Sequence, residues 1–316
     1  MSDDAETGLT AAEPPAAAAP QTRCGFVALL GAPNAGKSTL LNALVGAKVS
    51  IVTHKVQTTR AVMRGIAIAG PAQVIFVDTP GIFQPRRRLD RAMVASAWSG
   101  AKDADLVALL VDAKRGIDDE VQAILAGLAQ VPHRKVLIIN KIDLVKRDTL
   151  LALAAALNEK VPFERTFMIS AENGDGVGDV LAAFAEAVPA GPWLYPEDQI
   201  SDLPMRQLAA EITREKMMLR LHDEIPYESH VETESWKALR NGSVRIEQTI
   251  YVERESQKKI VLGKAGQSIK AISQAAREEI AQIAECPVHL FLFVKVRESW
   301  ADDPQRYREI GLTFTE

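Results

Sequence analysis

The stretch Gly31-Ala-Pro-Asn-Ala-Gly-Lys-Ser-Thr39 decides the fold of this chain. It follows the apolar run at residues 25–30 and opens a helical pattern at about residues 37–45, which is the strand–loop–helix setting that a P-loop requires. Its two glycines let the loop bend so that backbone N–H groups converge on an anion at a helix start. The stretch therefore predicts a phosphate site. Its residues are Gly31, Ala32, Pro33, Asn34, Ala35, Gly36, Lys37, Ser38 and Thr39.

Two side chains of this loop carry chemistry of their own. We expect Lys37 to reach the β- and γ-phosphates and the Ser38 hydroxyl to bind Mg²⁺. Downstream, the motif Asp-Thr-Pro-Gly at residues 78–81 ends another apolar run. Asp78 can hold Mg²⁺ through a water molecule, while the Gly81 N–H can sense the γ-phosphate and release when it leaves. The two motifs in this order predict a nucleoside triphosphatase.

A polar loop, Gln57-Thr-Thr-Arg60, lies between those two motifs. One of its hydroxyls could complete the Mg²⁺ shell when the third phosphate is present. Paired threonines in a polar loop usually mark only a turn. The position between the two motifs favours the magnesium interpretation.

The motif Asn140-Lys-Ile-Asp143 follows a later apolar run and predicts which base is bound. Guanine presents an N1–H beside an exocyclic amine, so one carboxylate can accept both bonds, whereas adenine has no proton on N1. Asp143 supplies that carboxylate, Asn140 can bond the other edge of the base, and the Lys141 stem can cover its face. We expect Ser170-Ala171 to close over the guanine with a backbone N–H. The prediction is GTP rather than ATP.

The residue that positions the attacking water is harder to identify from the sequence. Ile82 stands where many GTPases carry a glutamine, and an aliphatic side chain cannot orient water, so we expect slow intrinsic hydrolysis. The Asn34 amide oxygen could ligate a monovalent cation beside the phosphates, although asparagine is also a common turn former. The run Arg86-Arg-Arg88 could supply an arginine finger, but a solvated basic loop is the better interpretation.

The order of apolar and amphipathic runs predicts the fold class. From residue 24 to about residue 188, short apolar runs alternate with helical patterns, which indicates an α/β domain with a doubly wound, mostly parallel sheet. A proline-rich stretch, residues 188–196, ends that pattern. Beyond it lie a helix at about residues 203–221, two β-like runs at 227–236 and 244–252, a second helix at about 268–284 and a strand at 288–296. We predict a tail at residues 1–22, a GTPase domain at 23–190, a linker at 191–202 and a small α+β domain at 203–316.

The second domain carries a Gly-x-x-Gly loop, Gly263-Lys264-Ala265-Gly266, inside an apolar pattern. Such a loop between helices lets a nucleic-acid backbone approach closely while an apolar groove accepts splayed bases. Residues 254–270 hold five basic and one acidic side chain, a net +4 in a chain of net charge -4. A solvated basic helix end is the alternative, but the charge reversal favours single-stranded RNA. The predicted contacts are Lys258, Lys259, Ile260, Gly263, Lys264, Ala265, Gly266 and Lys270.

Composition and residue spacing limit the cellular location and the kinds of site that we expect. No apolar run reaches the roughly 18 residues of a membrane span. The Ala- and Pro-rich first 22 residues lack the features of a signal or transit peptide, so we interpret them as a disordered tail. Cys24 and Cys286 are far apart and read as reduced packing residues of a cytoplasmic protein. The five histidines show no metal-ligand spacing. Met217-Met218 indicates core packing, and Trp193, Tyr195, Trp236 and Trp300 indicate anchoring of the linker or domain interface.

These motifs, followed by VERESQKKIVLGKAGQSIK and PVHLFLFVKVRESW, resemble the bacterial Era family of GTPases from about Cys24 to Gly311. The resemblance implies a P-loop GTPase domain followed by a type II KH domain. It also implies Mg²⁺ held by Ser38, Thr59 and Asp78, with Thr59 as the switch threonine, and K⁺ held by Asn34. Catalysis would then depend on Lys37, Asn34, Thr59 and Gly81.

The resemblance further implies binding of 16S ribosomal RNA near its 3′ end, assembly of the 30S subunit and stimulation of hydrolysis by RNA. The nucleotide state would govern the domain arrangement, and we expect a cytoplasmic monomer. Peripheral association with the inner membrane belongs to the family, and nothing in this sequence argues for it. Two alternatives stay open: a constitutive RNA-binding or chaperone module with a structural nucleotide, and a signalling GTPase at a protein or membrane surface.

Overall fold

The computed structural model describes residues 21–55, 58–60, 62–85, 87–222, 225–297, 307, 312 and 313. The first part of the chain alternates strands and helices as the sequence predicts. Its strands are β1 (Arg23–Gly31), β2 (Met63–Ala69), β3 (Ala72–Asp78), β4 (Leu106–Asp112), β5 (Arg134–Asn140) and β6 (Arg165–Ile169). Its helices are α1 (Lys37–Val45), α2 (Arg88–Lys102), α3 (Asp119–Leu128), α4 (Arg147–Lys160) and α5 (Val177–Ala187).

These strands form one six-stranded sheet in the order β2-β3-β1-β4-β5-β6. Only the edge strand β2 runs antiparallel, pairing with β3, while the other neighbours are parallel. The strand order reverses direction at β1, so the loop after β1 lies at the point where ligands bind in such sheets. The predicted doubly wound, mostly parallel sheet is confirmed.

Helices cover both faces of this sheet, which is why its central strands are apolar over most of their length. On one face, α1 and α5 pack Leu40, Leu41 and Phe184 against buried residues of β1 and β3. On the other face, α2, α3 and α4 pack against the opposite side chains of β1, β4 and β5. The two buried layers hold the carboxyl ends of the strands at fixed positions.

Up to residue 297, the described residues of the second part form a three-stranded sheet covered by three helices. The elements are α6 (Met205–Arg220), β7 (Ser229–Ala238), β8 (Val244–Val252), α7 (Glu255–Leu262), α8 (Gln267–Ile283) and β9 (Val288–Val296). β8 pairs antiparallel with β7 and parallel with β9. Met217 and Met218 of α6 are fully buried, which confirms their packing role.

The helix α7 is an element that the sequence pattern did not separate. It has only eight residues, and its first turn is closed by Gln257, whose side-chain oxygen accepts the N–H groups of Glu253 and Arg254. Because this cap depends on one buried glutamine, apolar periodicity alone did not reveal it.

The proline-rich segment lies along the first sheet instead of hanging free. Gln73 of β3 bonds the backbone of Leu194 and Tyr195, and the Ile66 N–H of β2 donates to the Ile200 carbonyl. Trp193 and Tyr195 pack beside Cys24, which supports the anchoring role predicted for these aromatics. Trp300 lies outside the described residues.

The predicted tail needs one correction at its end. Thr22 is not loose: its hydroxyl donates to the Gly191 carbonyl, and its own carbonyl accepts the Gly191 N–H. This pairing ties the start of β1 to the segment that leaves α5. Residues 1–20, which carry the predicted disorder, lie outside the described ranges. Every helix within those ranges is too short or too polar to cross a lipid bilayer.

Candidate functional site

A cleft of about 570 Å³ opens at the carboxyl ends of β1, β3 and β5. The P-loop forms its floor, and residues 51–54, 58 and 59 form one wall. Its lining residues are Pro33, Asn34, Gly36, Lys37, Ser38, Thr39, Ile51, Val52, Thr53, His54, Thr58, Thr59, Gly81, Lys141, Leu144 and Glu172. The structure thus brings the separate sequence motifs to one place.

Lys37 is buried at the start of α1 and folds back over the loop that precedes it. Its Nζ donates to the carbonyls of Gly31 and Ala32 at 3.1 Å and 3.0 Å. Burial lowers the pKa of Lys37 to about 8, against the opposing effect of Asp78 and Glu120. An anion beside this ammonium would favour its charged form, so the loop is suited to a phosphate.

Two glycines of the loop are required by close contacts. Gly31 has φ 156°, and a Cβ there would lie 2.6 Å from the Leu110 carbonyl oxygen. Gly36 has φ 98°, and its Cβ would lie 2.1 Å from Asn140 Nδ2. No larger residue fits either position without moving a neighbouring strand end.

Four oxygen-bearing side chains gather beside Lys37. Ser38 Oγ lies 2.7 Å from Asp78 Oδ2 and 2.9 Å from Thr59 Oγ1, and Ser50 Oγ donates to the same Asp78 oxygen at 3.0 Å. Sequence patterns did not single out Ser50, because a lone serine carries no motif. Burial raises the pKa of the Asp78 carboxyl, against its bonds to the serines and the Lys37 charge.

The other Asp78 oxygen, Oδ1, is buried and has no hydrogen-bond partner among the described residues. An orphaned carboxylate oxygen beside two hydroxyls is an oxygen donor set of the kind that Mg²⁺ prefers. The residues therefore fit a magnesium ion, which would also favour the charged carboxylate.

Gly81 lies directly against the P-loop, and a Cβ on it would lie 2.9 Å from Pro33 Cα. The next residue, Ile82, donates its N–H to the Gly31 carbonyl at 3.1 Å, and its side chain is buried with Leu30 and Ala97. The Ile82 side chain is thus core packing rather than part of the cleft. This agrees with the expectation that it does not orient water.

Asn140 connects the two loops that frame the base position. Its Nδ2 donates to the Ala35 carbonyl at 2.9 Å, and its Oδ1 accepts the Ala171 N–H at 3.0 Å. The Ser170 N–H donates to Asp175 at 3.0 Å. Both N–H groups thus donate to protein acceptors in this arrangement, and closure of Ser170-Ala171 over the guanine stays a prediction.

Lys141 and Asp143 lie at the outer end of the cleft. Lys141 has φ 64°, and its Nζ bonds the Asn34 carbonyl at 2.6 Å and Asp112 Oδ2 at 2.8 Å. Asp143 is exposed in a one-turn helix, Ile142–Leu144. No sequence pattern indicated Asp112, whose partner is 29 residues away.

Asn34 connects the P-loop to the opposite wall of the cleft. It adopts φ 61°, and its Nδ2 donates to the His54 carbonyl at 2.9 Å. That bond directs the amide nitrogen to the wall and leaves the amide oxygen on the other side. The turn interpretation and the cation interpretation are thus both compatible with this geometry.

The Gly-x-x-Gly loop joins α7 to α8 through a tight turn. Gly263, Ala265 and Gly266 have φ angles of 73°, 51° and 74°, and a Cβ on Gly263 would lie 2.6 Å from Ser268 Cβ. Ile260 is 51% exposed on the last turn of α7. The loop therefore presents bare backbone next to an exposed apolar side chain.

Basic side chains surround that loop. Lys259, Lys264 and Lys270 are exposed, whereas Lys258 is half-buried and pairs with Glu255 at 3.7 Å. A basic rim around an open backbone turn can contact phosphates while Ile260 contacts a base.

Other candidates do not form sites. Within the described ranges, no cluster of His, Cys, Asp and Glu could hold a metal. Burial raises the pKa of the Cys24 thiol, and both cysteines are free. Arg87 pairs with Glu228 of the second domain at 3.2 Å, and Arg86 lies outside the described residues.

Comparison with known proteins accounts for both parts of the chain. A family model described as a 50S ribosome-binding GTPase matches residues 26–141, and a KH-domain model matches residues 224–301. The GTPase Era of Rhizobium meliloti is 70% identical over 299 residues, covering 95% of this chain and 96% of that protein. The chain belongs to the Era family of GTPases. The Era of Mesorhizobium japonicum is 68% identical and covers 98% of this chain and 99% of its own.

Solved Era structures share the whole architecture. A variant of Aquifex aeolicus Era bound to GDP and aluminium fluoride is 37% identical, with a TM-score of 0.87, and the match covers 92% of this chain and 99% of that one. Era in complex with MgGDPNP and nucleotides 1506–1542 of 16S ribosomal RNA matches with the same values. As an Era protein, this chain hydrolyses GTP, and its second part is a KH domain.

Proposed function

We propose that this Era GTPase binds 16S ribosomal RNA near its 3′ end through the KH domain and acts in assembly of the 30S subunit. The observation that carries the proposal is the bare Gly263–Gly266 backbone turn beside exposed Ile260 and three exposed lysines. The same architecture in the Era complex with a 16S fragment supports it. We further propose a cytoplasmic monomer whose domains divide at residues 23–190, 191–202 and 203–316.

We propose the following roles at the nucleotide. Lys37 and the P-loop N–H groups bind the phosphates, and Asp143 reads the guanine. Asn140 bonds the other edge of the base, and the Lys141 stem covers its face. When bound, Mg²⁺ supplies charge neutralisation at the β- and γ-phosphates. Ser38, Thr59 and Asp78 would hold it, and the orphaned Asp78 oxygen supports this assignment. Gly81, packed on Pro33, lies where its N–H can sense the loss of the γ-phosphate.

The RNA site is tested by Gly266→Asp. Gly266 has a positive φ and no atom within 4 Å of its Cβ position, so the variant adds one carboxylate and strained backbone at the turn. We expect affinity for a 16S 3′-end fragment to fall at least about tenfold, measured by fluorescence anisotropy. Gly242→Asp is the matched control, because Gly242 has φ 78° and equally open space in the β7–β8 turn. Equal losses for both variants would contradict the site.

The nucleotide dependence separates the switch from its alternatives. If RNA affinity differs between the GTP-analogue and GDP states, the two states bind RNA differentially, as a switch requires. Equal affinities would favour a constitutive RNA-binding module with a structural nucleotide. Unchanged binding of Gly266→Asp to preribosomal particles would favour a signalling GTPase with another target.

The potassium role of Asn34 is tested by comparing turnover in KCl and NaCl at equal ionic strength. Because Ile82 offers no polar atom to the attacking water, we expect slow intrinsic hydrolysis that is at least about tenfold faster in KCl. Asn34→Ala removes the oxygen and should abolish the difference. Asn34→Asp keeps an oxygen but loses the donor to His54, so it should keep a cation response. A potassium response that survives in Asn34→Ala would contradict the role.

A further inference from the structure

The wall of the cleft that carries Thr59 is held by the second domain. We call residues 48–60 the switch segment; within it, residues 56 and 57 lie outside the described part. Lys48 Nζ pairs with Glu215 of α6 at 2.7 Å and also with Glu279 of α8. The Val52 N–H donates to the same Glu215 carboxylate at 2.9 Å. Several points of the switch segment are thus fixed on the KH domain.

Two buried arginines cross the same boundary in opposite directions. Arg214 of α6 is 1% exposed, and its Nη2 donates to the carbonyl of Thr58. Arg60 is 4% exposed and donates into the second domain. Its acceptors are the carbonyls of Pro226 at 3.0 Å, Tyr227 at 2.7 Å and Ser229 at 2.7 Å. The residues on both sides of Thr59 are therefore held by guanidinium–carbonyl bonds.

This arrangement is electrostatically demanding. Burial, and then the neighbouring Arg214 charge, lower the pKa of Arg60 to about 9. Glu211 partly balances the pair, since its carboxylate contacts Arg214 Nη2 at 2.5 Å. Two buried like charges oppose stability, so packing alone does not explain their presence. Their shared geometric effect is to fix the backbone on either side of Thr59.

We propose that Arg214 is a positioning residue for GTP hydrolysis, which holds the Thr58 carbonyl so that the Thr59 hydroxyl stays beside Ser38. The observed Thr59 Oγ1 to Ser38 Oγ distance of 2.9 Å is the geometry that it maintains. The inference rests on the proposed role of Thr59 at Mg²⁺. The KH domain then acts on the phosphate site of its own chain, and by linkage whatever fixes Thr59 also stabilises docking of the domains.

The test compares Arg214→Gln with Arg206→Gln in the full-length protein. Arg206 lies on the same helix and also donates to carbonyls, those of Thr233 at 2.5 Å and Glu234 at 3.1 Å, but within its own domain. We expect Arg214→Gln to lower kcat about tenfold and to raise the Mg²⁺ concentration for half-maximal hydrolysis about tenfold. GDP affinity should change less than about twofold. Arg206→Gln should leave kcat, the Mg²⁺ requirement and GDP affinity unchanged.

Three further variants keep the proposal falsifiable if Arg214→Gln folds poorly. Arg60→Gln removes the bonds that hold the backbone on the other side of Thr59. It should raise the Mg²⁺ concentration for half-maximal hydrolysis in the same way, and an unchanged Mg²⁺ requirement would overturn the proposal. Thr59→Ala and its double variant with Arg214→Gln should lose kcat by similar factors, because both changes remove one function. Additive losses, or an equal fall in GDP affinity, would show a merely structural role for Arg214.

The same variants separate this inference from the function on which it rests. If Thr59→Ala slows hydrolysis but Arg214→Gln and Arg60→Gln do not, the proposed positioning role of Arg214 is wrong and the role of Thr59 stands. If Thr59→Ala hydrolyses GTP normally, the proposed magnesium role itself fails.

Discussion

The Asp143→Asn variant should lose GTP affinity by about a hundredfold to a thousandfold and gain affinity for xanthosine triphosphate. Asp143 follows Lys141 in an exposed one-turn helix at the outer end of the cleft. Its carboxylate can accept the guanine N1–H and the exocyclic amine together. The amide keeps one acceptor without charge and turns its NH₂ towards the guanine amine, so one charge-assisted bond of about 1.5–3 kcal/mol is lost and the other is weakened by about 1 kcal/mol. About 1.4 kcal/mol corresponds to a tenfold change. Titration calorimetry with both nucleotides measures the exchange.

The gain for xanthosine is the decisive half of this result. Xanthine carries an oxygen where guanine carries the amine, so the new amide nitrogen can donate to it while the amide oxygen accepts N1–H. Asp148→Asn is the matched control, because Asp148 is an exposed acid in the first turn of α4, five residues along the chain. Equal effects of the two variants, or a loss without a xanthosine gain, would refute base reading by Asp143.

Local signals made much of the nucleotide site predictable. The helix α1 was predicted over residues 37–45 and is observed there, because glycines with positive φ flank it on both sides, Gly36 at 98° and Gly46 at 76°. The strands β8 and β9 likewise match their predicted bounds, since each is an uninterrupted β-rich run ended by turn residues. In each case the deciding residues are neighbours in the sequence.

Contacts between distant residues could not be predicted in the same way. The Asn140 side chain connects Ala35 to Ala171, partners that lie 105 and 31 residues away. Ser50 and Asp112 complete hydrogen-bond networks without belonging to any motif. These contacts depend on which strand ends meet, and sequence spacing does not give that information.

The contacts between the two domains were the least predictable from the sequence. Arg214 and Thr58 are 156 residues apart, and Arg214 reads in the sequence as an ordinary polar residue of an amphipathic helix. Its burial follows only from the docking of α6 against the switch segment. The sequence predicted both domains, whereas the contacts that join α6 to the switch segment could be identified only in the three-dimensional structure.

Gly36→Ala should abolish tight GTP binding and lower the free energy of unfolding by about 3 kcal/mol. The added Cβ would lie 2.1 Å from Asn140 Nδ2, so the Asn140 side chain must move and release Ala35 and Ala171. Two hydrogen bonds of about 1 kcal/mol each and about 1–2 kcal/mol of backbone strain at φ 98° account for the loss. Urea unfolding measures stability, and calorimetry measures a GTP affinity that we expect to fall at least a hundredfold, because the N–H cradle is displaced.

The control for that change lies at the other end of the same helix. Gly46 has φ 76° and no atom within 4 Å of its Cβ position, so Gly46→Ala imposes backbone strain without a collision. It should cost about 1–2 kcal/mol of stability and leave GTP affinity within about twofold. The difference between the two variants isolates the contact between Gly36 and Asn140. If Gly36→Ala behaves like Gly46→Ala, Asn140 does not hold the P-loop in its binding geometry, and the connection between base loop and phosphate loop is wrong.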